Sequence, residues 1–458
     1  MTIHEEVLRS LANWGKHPAI IEIAPGKPDR LLTAADLAQD IKDLTAYLQK
    51  AGIRAGTPTA LFLQSSVEFI EHFLALSRLG AVSILSKLEY RKLENEEIFA
   101  NSKPQALIVE KQFLTAISGY VRDQTVITQD NGVLQIAQAA DRDLMPAEVD
   151  PDIASINYTY RGYGYPLAAL IPHVQYLHGA RVFQELTQGS PGQKVLSSLP
   201  MSHIFTIVGC LLVPLLNRMT VVIARTIQPR LLFKAISEYH IDNVIAVPEI
   251  LGFLARLKDP ELILTSLKLL VSGGSVLSEG DYCLLQQVFG VEVLHGYGLT
   301  EFAPVSGHIR GKARAGTIGP PTREIEARID SQGEILIKSP YLFRGYYRRP
   351  AESQGVLRDG WFCTGDLGRF DGEHLVFVHE KKKTCKVNGS LADLEEIRQA
   401  ILLDPDIAEA EVLFEGGDIV ARIVPGSGQV LQQKGVNLAK SLKGIIADYK
   451  IPKRVIGL

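Results

Sequence analysis

Apolar positions recur at helical spacing early in the chain. Leu37, Ile41, Leu44 and Leu48 share one helical face. Thr33-Ala34-Ala35-Asp36 supplies a capping box before them, and Ala51-Gly52 a stop after them. Pro58 to Leu63 is short and continuous, as a strand is, before Val67, Ile70, Phe73 and Leu74 return to helical spacing as far as Gly80. Leu107-Ile108-Val109 is again a strand. This alternation predicts parallel sheet with helices on its faces. Val244-Ile245-Ala246-Val247-Pro248 reads as a strand leading into a helix, and Leu269-Leu270-Val271-Ser272-Gly273-Gly274 as a strand closed by two glycines. From residue 310 the pattern turns antiparallel, with Gly333-Glu334-Ile335-Leu336-Ile337 alternating. Leu375 to Val378 is a strand, followed by the charged connector Glu380-Lys381-Lys382-Lys383. A helix carrying Leu394, Ile397, Ile401 and Leu402 comes next, then a hairpin over Glu411 to Phe414 and Ile419 to Val424, then a last amphipathic helix through Leu442, Ile445 and Ile446. The expected fold is α/β: a large N-terminal domain of mixed sheets with flanking helices, residues 1–379, and a small α+β C-terminal domain, residues 380–458.

Composition narrows the possibilities. At 458 residues the chain exceeds a single core. A net charge of −3 offers no electrostatic case for nucleic acid. The start, Met1-Thr2-Ile3-His4-Glu5-Glu6, has neither the basic residues nor the apolar run of a signal peptide. The longest apolar run, Phe205 to Leu216, is too short to span a bilayer, is interrupted by Pro214, and reads as core. The four cysteines have no metal-binding spacing and read as free thiols in a reducing cytoplasm.

The chemistry centres on His295-Gly296-Tyr297-Gly298-Leu299-Thr300-Glu301, which follows the strand-like Val291 to Leu294. Its glycines let backbone approach a ligand. Tyr297 can stack on a flat ring, Thr300 can donate to a phosphate, and Glu301 can hold Mg2+, which favours carboxylate and phosphate oxygens. Phe302-Ala303-Pro304 is expected to end the strand. A strand followed by a tight turn and a helix cap has the same pattern, so the heptapeptide alone leaves both readings open.

A second stretch, Asp359-Gly360-Trp361-Phe362-Cys363-Thr364-Gly365-Asp366, decides between them. Together the two resemble the YGxTE and (Y/W)xTGD motifs of the acyl-adenylate-forming superfamily, which includes acyl-CoA synthetases, peptide-synthetase adenylation domains and luciferases. The resemblance runs over almost the whole chain. It implies ATP-dependent activation of a small carboxylic acid with Mg2+, then acyl transfer to a thiol of CoA or an acyl carrier protein. It places Thr159, Gly164, Gly273, Gly274, His295, Gly296, Tyr297, Gly298, Thr300 and Asp366 around the nucleotide, with Asp366 on the ribose hydroxyls. His203, Val247, Ser272 and Gly298 fall to the acyl pocket, Lys382 to the hinge, and Thr300, Glu301 and Arg161 to catalysis, with Glu301 on the metal.

Three departures qualify this. The family's phosphate loop is rich in Ser, Thr and Gly and carries a Lys. The aligned segment here is Tyr158-Thr159-Tyr160-Arg161-Gly162-Tyr163-Gly164-Tyr165-Pro166-Leu167, with Leu167 in place of the lysine. Either Arg161 restores the lost charge, which suits a guanidinium, or the tyrosines fill the loop and ATP use is weakened. The family's Gly-Arg before the hinge is His379-Glu380. The sequence reaches Tyr449-Lys450-Ile451-Pro452-Lys453, resembling the family's YK(I/V)PK, and stops at Leu458 before the family's Gly-Lys segment. A non-adenylating relative that binds nucleotide or acyl-adenylate is the alternative reading.

Overall fold

A computed structural model describes residues 1–130, 132–140, 144, 149–259, 261–381, 383–425 and 438–457. Two mixed sheets with flanking helices dominate it. The larger has eight strands in the order Phe302–Gly307, Glu292–Leu299, Leu269–Ser272, Asn243–Ala246, Lys194–Ser197, Thr220–Ala224, Pro18–Ile23, Arg30–Thr33. Its interior is parallel and both edges are antiparallel. The second has seven strands, running from Val133–Gln138 through Thr125–Asp130, Ala106–Glu110, Pro58–Phe62, Val82–Leu85 and Ile153–Thr159 to Leu167–Pro172. Both were legible as βαβ alternation because their helices show one apolar face. In Ala34–Lys50 that face is Leu37, Ile41, Leu44 and Leu48, all buried, and the Thr33 hydroxyl accepts from the amide of Asp36 as the capping box requires. Val67–Leu79 ends at Gly80, whose φ of 71° needs no Cβ.

Three smaller sheets follow. One of five strands contains Glu334–Lys338, Trp361–Asp371 and His374–Glu380. Thr384–Val387 pairs with Ser390–Asp393, and Ile407–Glu415, Asp418–Pro425 and Arg454–Gly457 form a three-stranded sheet. The last two sheets enclose a separate core of Ile397, Ile401, Val412, Ile423, Leu442 and Ile446.

Two local expectations are corrected. Phe302-Ala303-Pro304 does not end the strand system: Phe302–Gly307 turns back and pairs antiparallel with Glu292–Leu299. It is the sheet's edge strand, where Pro304 leaves no inner neighbour unpaired. The last amphipathic helix does not reach Ile445 and Ile446. Among the described residues helix covers 438–442, and Gly444, at φ 86°, ends it. Of the apolar run Phe205 to Leu216, Ile207 to Leu215 are buried helical core, and among the described residues no helix is long and apolar enough to cross a membrane.

Candidate nucleotide and acyl site

A cavity opens at the carboxyl ends of the parallel strands, where α/β sheets place their ligands. The glycine turn after Leu269–Ser272 and the segment His295 to Thr300 wall it, together with Thr159 and Tyr160. Asp366, Glu380, Lys386 and Gly389 also line it. Its apolar lining is Phe183, Leu186, Phe205, Val208, Val271 and Leu294, with the Phe183 and Phe205 rings 6.2 Å apart, and His203 and Ser272 line it too. Gly273 has to be glycine: a Cβ there would lie 2.9 Å from the Phe205 ring.

The structure therefore gathers His203, Ser272, Gly273, Gly274, His295, Gly296, Tyr297, Gly298, Thr300, Thr159 and Asp366 around one space. Val247 lies behind Gly274 and Gly389, outside that wall. Gly164, Arg161 and Glu301 also lie outside it, and Lys382 falls outside the described residues.

Asp366 is nearly buried, and the Tyr297 hydroxyl donates to its Oδ2 at 2.6 Å. Burial raises the Tyr297 phenol well above its ordinary value and Asp366 raises it further, so this proton stays on the tyrosine. Tyr297 was expected to act through its ring. Tyr297 lines the cavity, and its hydroxyl orients the carboxylate. Asp366 sits opposite Glu380 in the sheet register, which puts a second carboxylate near the site where the family has arginine.

Arg161 does not stand free on its loop. Nη1 lies 3.2 Å from Glu301 Oε1, Nη2 donates to the Cys363 carbonyl at 2.7 Å, and the guanidinium stacks 5.1 Å from the Phe362 ring centre. The Tyr346 hydroxyl donates to the same Oε1 at 2.5 Å. Burial opposes the charge on Arg161, but Tyr346, Glu301 and Asp366 outweigh it and hold the guanidinium above its ordinary value. Glu301 Oε1 is thus taken by an arginine and a phenol. No cluster of three or more metal-ligating side chains occurs among the described residues. In this arrangement the residues do not fit a Mg2+ on Glu301, because the metal would face a buried guanidinium.

The rest of the loop is filled from within the protein. Tyr160, at the position of the family's serine, is buried, and its hydroxyl donates to Glu396 Oε1 at 2.9 Å. Lys450 Nζ donates to the Tyr160 hydroxyl and to Glu94 Oε1, each at 2.8 Å, and pairs with Glu396. Leu167, at the lysine position, is wholly buried core. The amides of Gly162 and Gly164 donate to Asp393 Oδ2 at 2.8 and 3.4 Å.

Burial disfavours the charged form of His203 and His295, both of which line the cavity. Burial pushes His203 down to about 3, with Lys87 and Lys386 adding to it. Burial takes His295 to about 3 as well, with His308 adding to it. His308 Nδ1 accepts the His295 amide at 3.1 Å, so its proton is on Nε2, 3.1 Å from the Thr317 hydroxyl.

Sequence reasoning missed Tyr346, Asp393, Lys450, Glu94 and Lys87. Lys87 lines the cavity, and burial lowers its ammonium to about 8. Only the misfit of Tyr160 to its loop could have drawn attention to its partners.

Fold and site together define an adenylate-forming ligase, of the acid–thiol class. The chain belongs to the AMP-binding enzyme family, which it matches over residues 7–347. It is similar to the indoleacetate–CoA ligase of Aromatoleum aromaticum, with 28% identity over 98% of this chain and 94% of that protein. It is also similar to 4-coumarate–CoA ligase 4 of Arabidopsis thaliana, at 24% identity over 95% of this chain and 86% of that protein. Among solved structures, an amide bond synthetase from Marinactinospora thermotolerans superposes with a TM-score of 0.86 at 21% identity, covering 100% of this chain and 96% of that one. A malonyl-CoA ligase does so with a TM-score of 0.82 at 23% identity, covering 98% and 99%. These last two likenesses are of fold.

Proposed function

We propose that this chain activates a carboxylic acid with ATP, releasing pyrophosphate, and passes the acyl group from the acyl-adenylate to the thiol of CoA. The observation that carries this reading is the continuity of the cavity. One space is lined by a buried, oriented carboxylate at Asp366 and by the apolar Phe183, Phe205 and Val208. A ribose suits the first and an acyl body the second, which brings the carboxylate and the α-phosphate together between them. Positioning of that kind accounts for nucleotidyl transfer without a protein nucleophile.

In this reading Asp366 takes the ribose hydroxyls, with Tyr297 holding it in place. Gly273, Gly274, Gly296 and Gly298 let the backbone approach the nucleotide. Thr300 and Thr159 face the phosphate. His203, neutral and beside Ser272, contacts the acyl group. The walls favour an aryl or alkyl body over a second carboxylate, in keeping with the indoleacetate and coumarate named in the relatives. Mg2+ arrives on the polyphosphate, held mainly by phosphate oxygens and water. Residues 380–458 act as the second domain, with the hinge at Lys382.

The test is pyrophosphate release with ATP, Mg2+ and a panel of aryl, alkyl and dicarboxylic acids. Release with aryl or alkyl acids, followed by thioester formation with CoA, supports the reading. A second reading is favoured by the Arg161–Glu301 pair and by Leu167: a protein that binds nucleotide or acyl-adenylate without making it. AMP binding with no pyrophosphate release for any acid would favour that one.

A further inference from the structure

Asp393 belongs to the small sheet Ser390–Asp393 and caps the helix Leu394–Ile401, yet one of its oxygens leaves that helix. Oδ1 accepts from the amides of Glu395 and Glu396, at 2.9 and 3.2 Å. Oδ2 crosses to the loop of the large sheet and accepts from Gly162 and Gly164. Both glycines have left-handed backbone, φ 81° and 84°, which turns their amides toward one point. Convergent amides of this kind make an anion site. Here the anion is a carboxylate of the chain itself. Burial raises the Asp393 carboxyl, while the amides of Glu396, Gly164, Glu395 and Gly162 pull it back.

The loop is also covered. A Cβ on Gly162 would meet the Lys383 amide at 3.0 Å, and one on Gly164 would meet the Gln399 side chain at 2.6 Å. The buried group Lys450, Glu396, Glu94 and Tyr160 fixes the same orientation from a second point. No phosphate-sized group fits on these amides while residues 383–399 lie there.

We propose that Asp393 is a positioning residue that substitutes for a phosphate on the loop amides, so that the docked arrangement and a bound polyphosphate exclude one another. It rests on the ATP-dependent reading above for its place in the reaction. Docking then belongs to the half-reaction in which the acyl group leaves AMP, and polyphosphate binding requires Asp393 to withdraw.

Two variants of the full chain test this. Asp393→Asn keeps the shape and removes the charge. Asp393→Ser keeps a helix-capping oxygen but cannot reach the loop. The first measurement is amide hydrogen exchange, with inorganic tripolyphosphate as probe. In the parent, Gly162 and Gly164 should be protected, and tripolyphosphate should speed exchange across residues 383–399. In either variant the two glycine amides should exchange about tenfold faster, the value of one charge-assisted hydrogen bond. The second measurement separates the half-reactions. Acyl transfer from a supplied acyl-AMP should fall about tenfold, while pyrophosphate release in a single turnover should stay within about twofold. Unchanged exchange at Gly162 and Gly164 in both variants, or equal loss in both half-reactions, would overturn the proposal. Failure of the parent to turn over ATP would count against the proposed function alone, because the exchange experiment needs no turnover.

Discussion

Arg161 and Glu301, 140 residues apart in the chain, form a buried ion pair at 3.2 Å, with both side chains almost wholly removed from solvent. The sequence set them on either side of a bound nucleotide, one for its phosphates and one for its metal. The structure joins them to each other, with Tyr346 completing the shell of Glu301. The loop's one new cation is therefore committed to the protein.

That pair makes a stability prediction. Arg161→Ala leaves a buried carboxylate with only Tyr346, and should destabilise by about 3–5 kcal/mol. Arg161→Met with Glu301→Gln removes both charges and should recover most of the loss. Urea unfolding of Arg161→Met, Glu301→Gln and the double variant measures the coupling. Additive effects would show that the pair does not act as one.

Asp366 should matter to nucleotide affinity. Asp366→Ala removes the acceptor proposed for the ribose hydroxyls, and AMP binding should weaken by about 1.5–3 kcal/mol, as for one bond to a charged group. Tyr297→Phe keeps the carboxylate but loses its orienting donor, so its effect should be smaller. Calorimetry with AMP ranks the two, and equal affinities for parent and Asp366→Ala would remove Asp366 from the site.

Lys450 is wholly buried between Glu94 and Glu396. Burial disfavours its charge, but the two carboxylates outweigh this and hold the ammonium above its ordinary value. Lys450→Met should cost about 3–5 kcal/mol by stranding two buried carboxylates. Glu94→Gln in the same chain should return part of it. Denaturation midpoints for the three proteins decide, and a tolerated Lys450→Met would place the carboxylates in contact with water.

Stability should depend on pH from both sides, through neighbours on one helix. Burial lowers His72 to about 4, offset in part by the Glu68 carbonyl. A base lowered on folding contributes stability that is full above its unfolded value near 6.5 and is lost as pH falls through about 4. Burial raises Glu71 to about 8, partly opposed by Arg30. An acid raised on folding contributes stability that is full below about 4.5 and is lost as pH rises through about 8. Glu71→Gln should therefore gain roughly 2–4 kcal/mol over the parent at about pH 8 and little at about pH 5. His72→Leu should flatten the acid side. Urea midpoints across this range test both, and parallel curves for parent and Glu71→Gln would refute the alkaline half.

The sequence by itself determined the α/β class, the capped helices and the strand ends that carry chemistry. Period and capping are local: Leu37, Ile41, Leu44 and Leu48 face one way because a helix turns every 3.6 residues. Gly273 and Tyr297 were legible for a related reason, since a strand terminus fixes where its next few side chains can go; Asp366 was expected at a strand end as well, but it lies inside the strand Trp361–Asp371, which runs on to pair with His374–Glu380. The partners of those side chains were not local. Tyr297 reaches Asp366 across 69 residues, Arg161 reaches Glu301 across 140, and Gly162 reaches Asp393 across 231. Each pairing depends on how separate sheets lie against one another, and a buried charge takes whichever opposite charge that packing brings within about 4 Å. For the loop the sequence left two readings open, Arg161 on phosphate or tyrosines filling the space. Tertiary structure fills it in this arrangement, seating Tyr160 among Lys450, Glu94 and Glu396 and laying Asp393 on the amides, since buried donors and charges must be satisfied by the nearest partner the fold supplies.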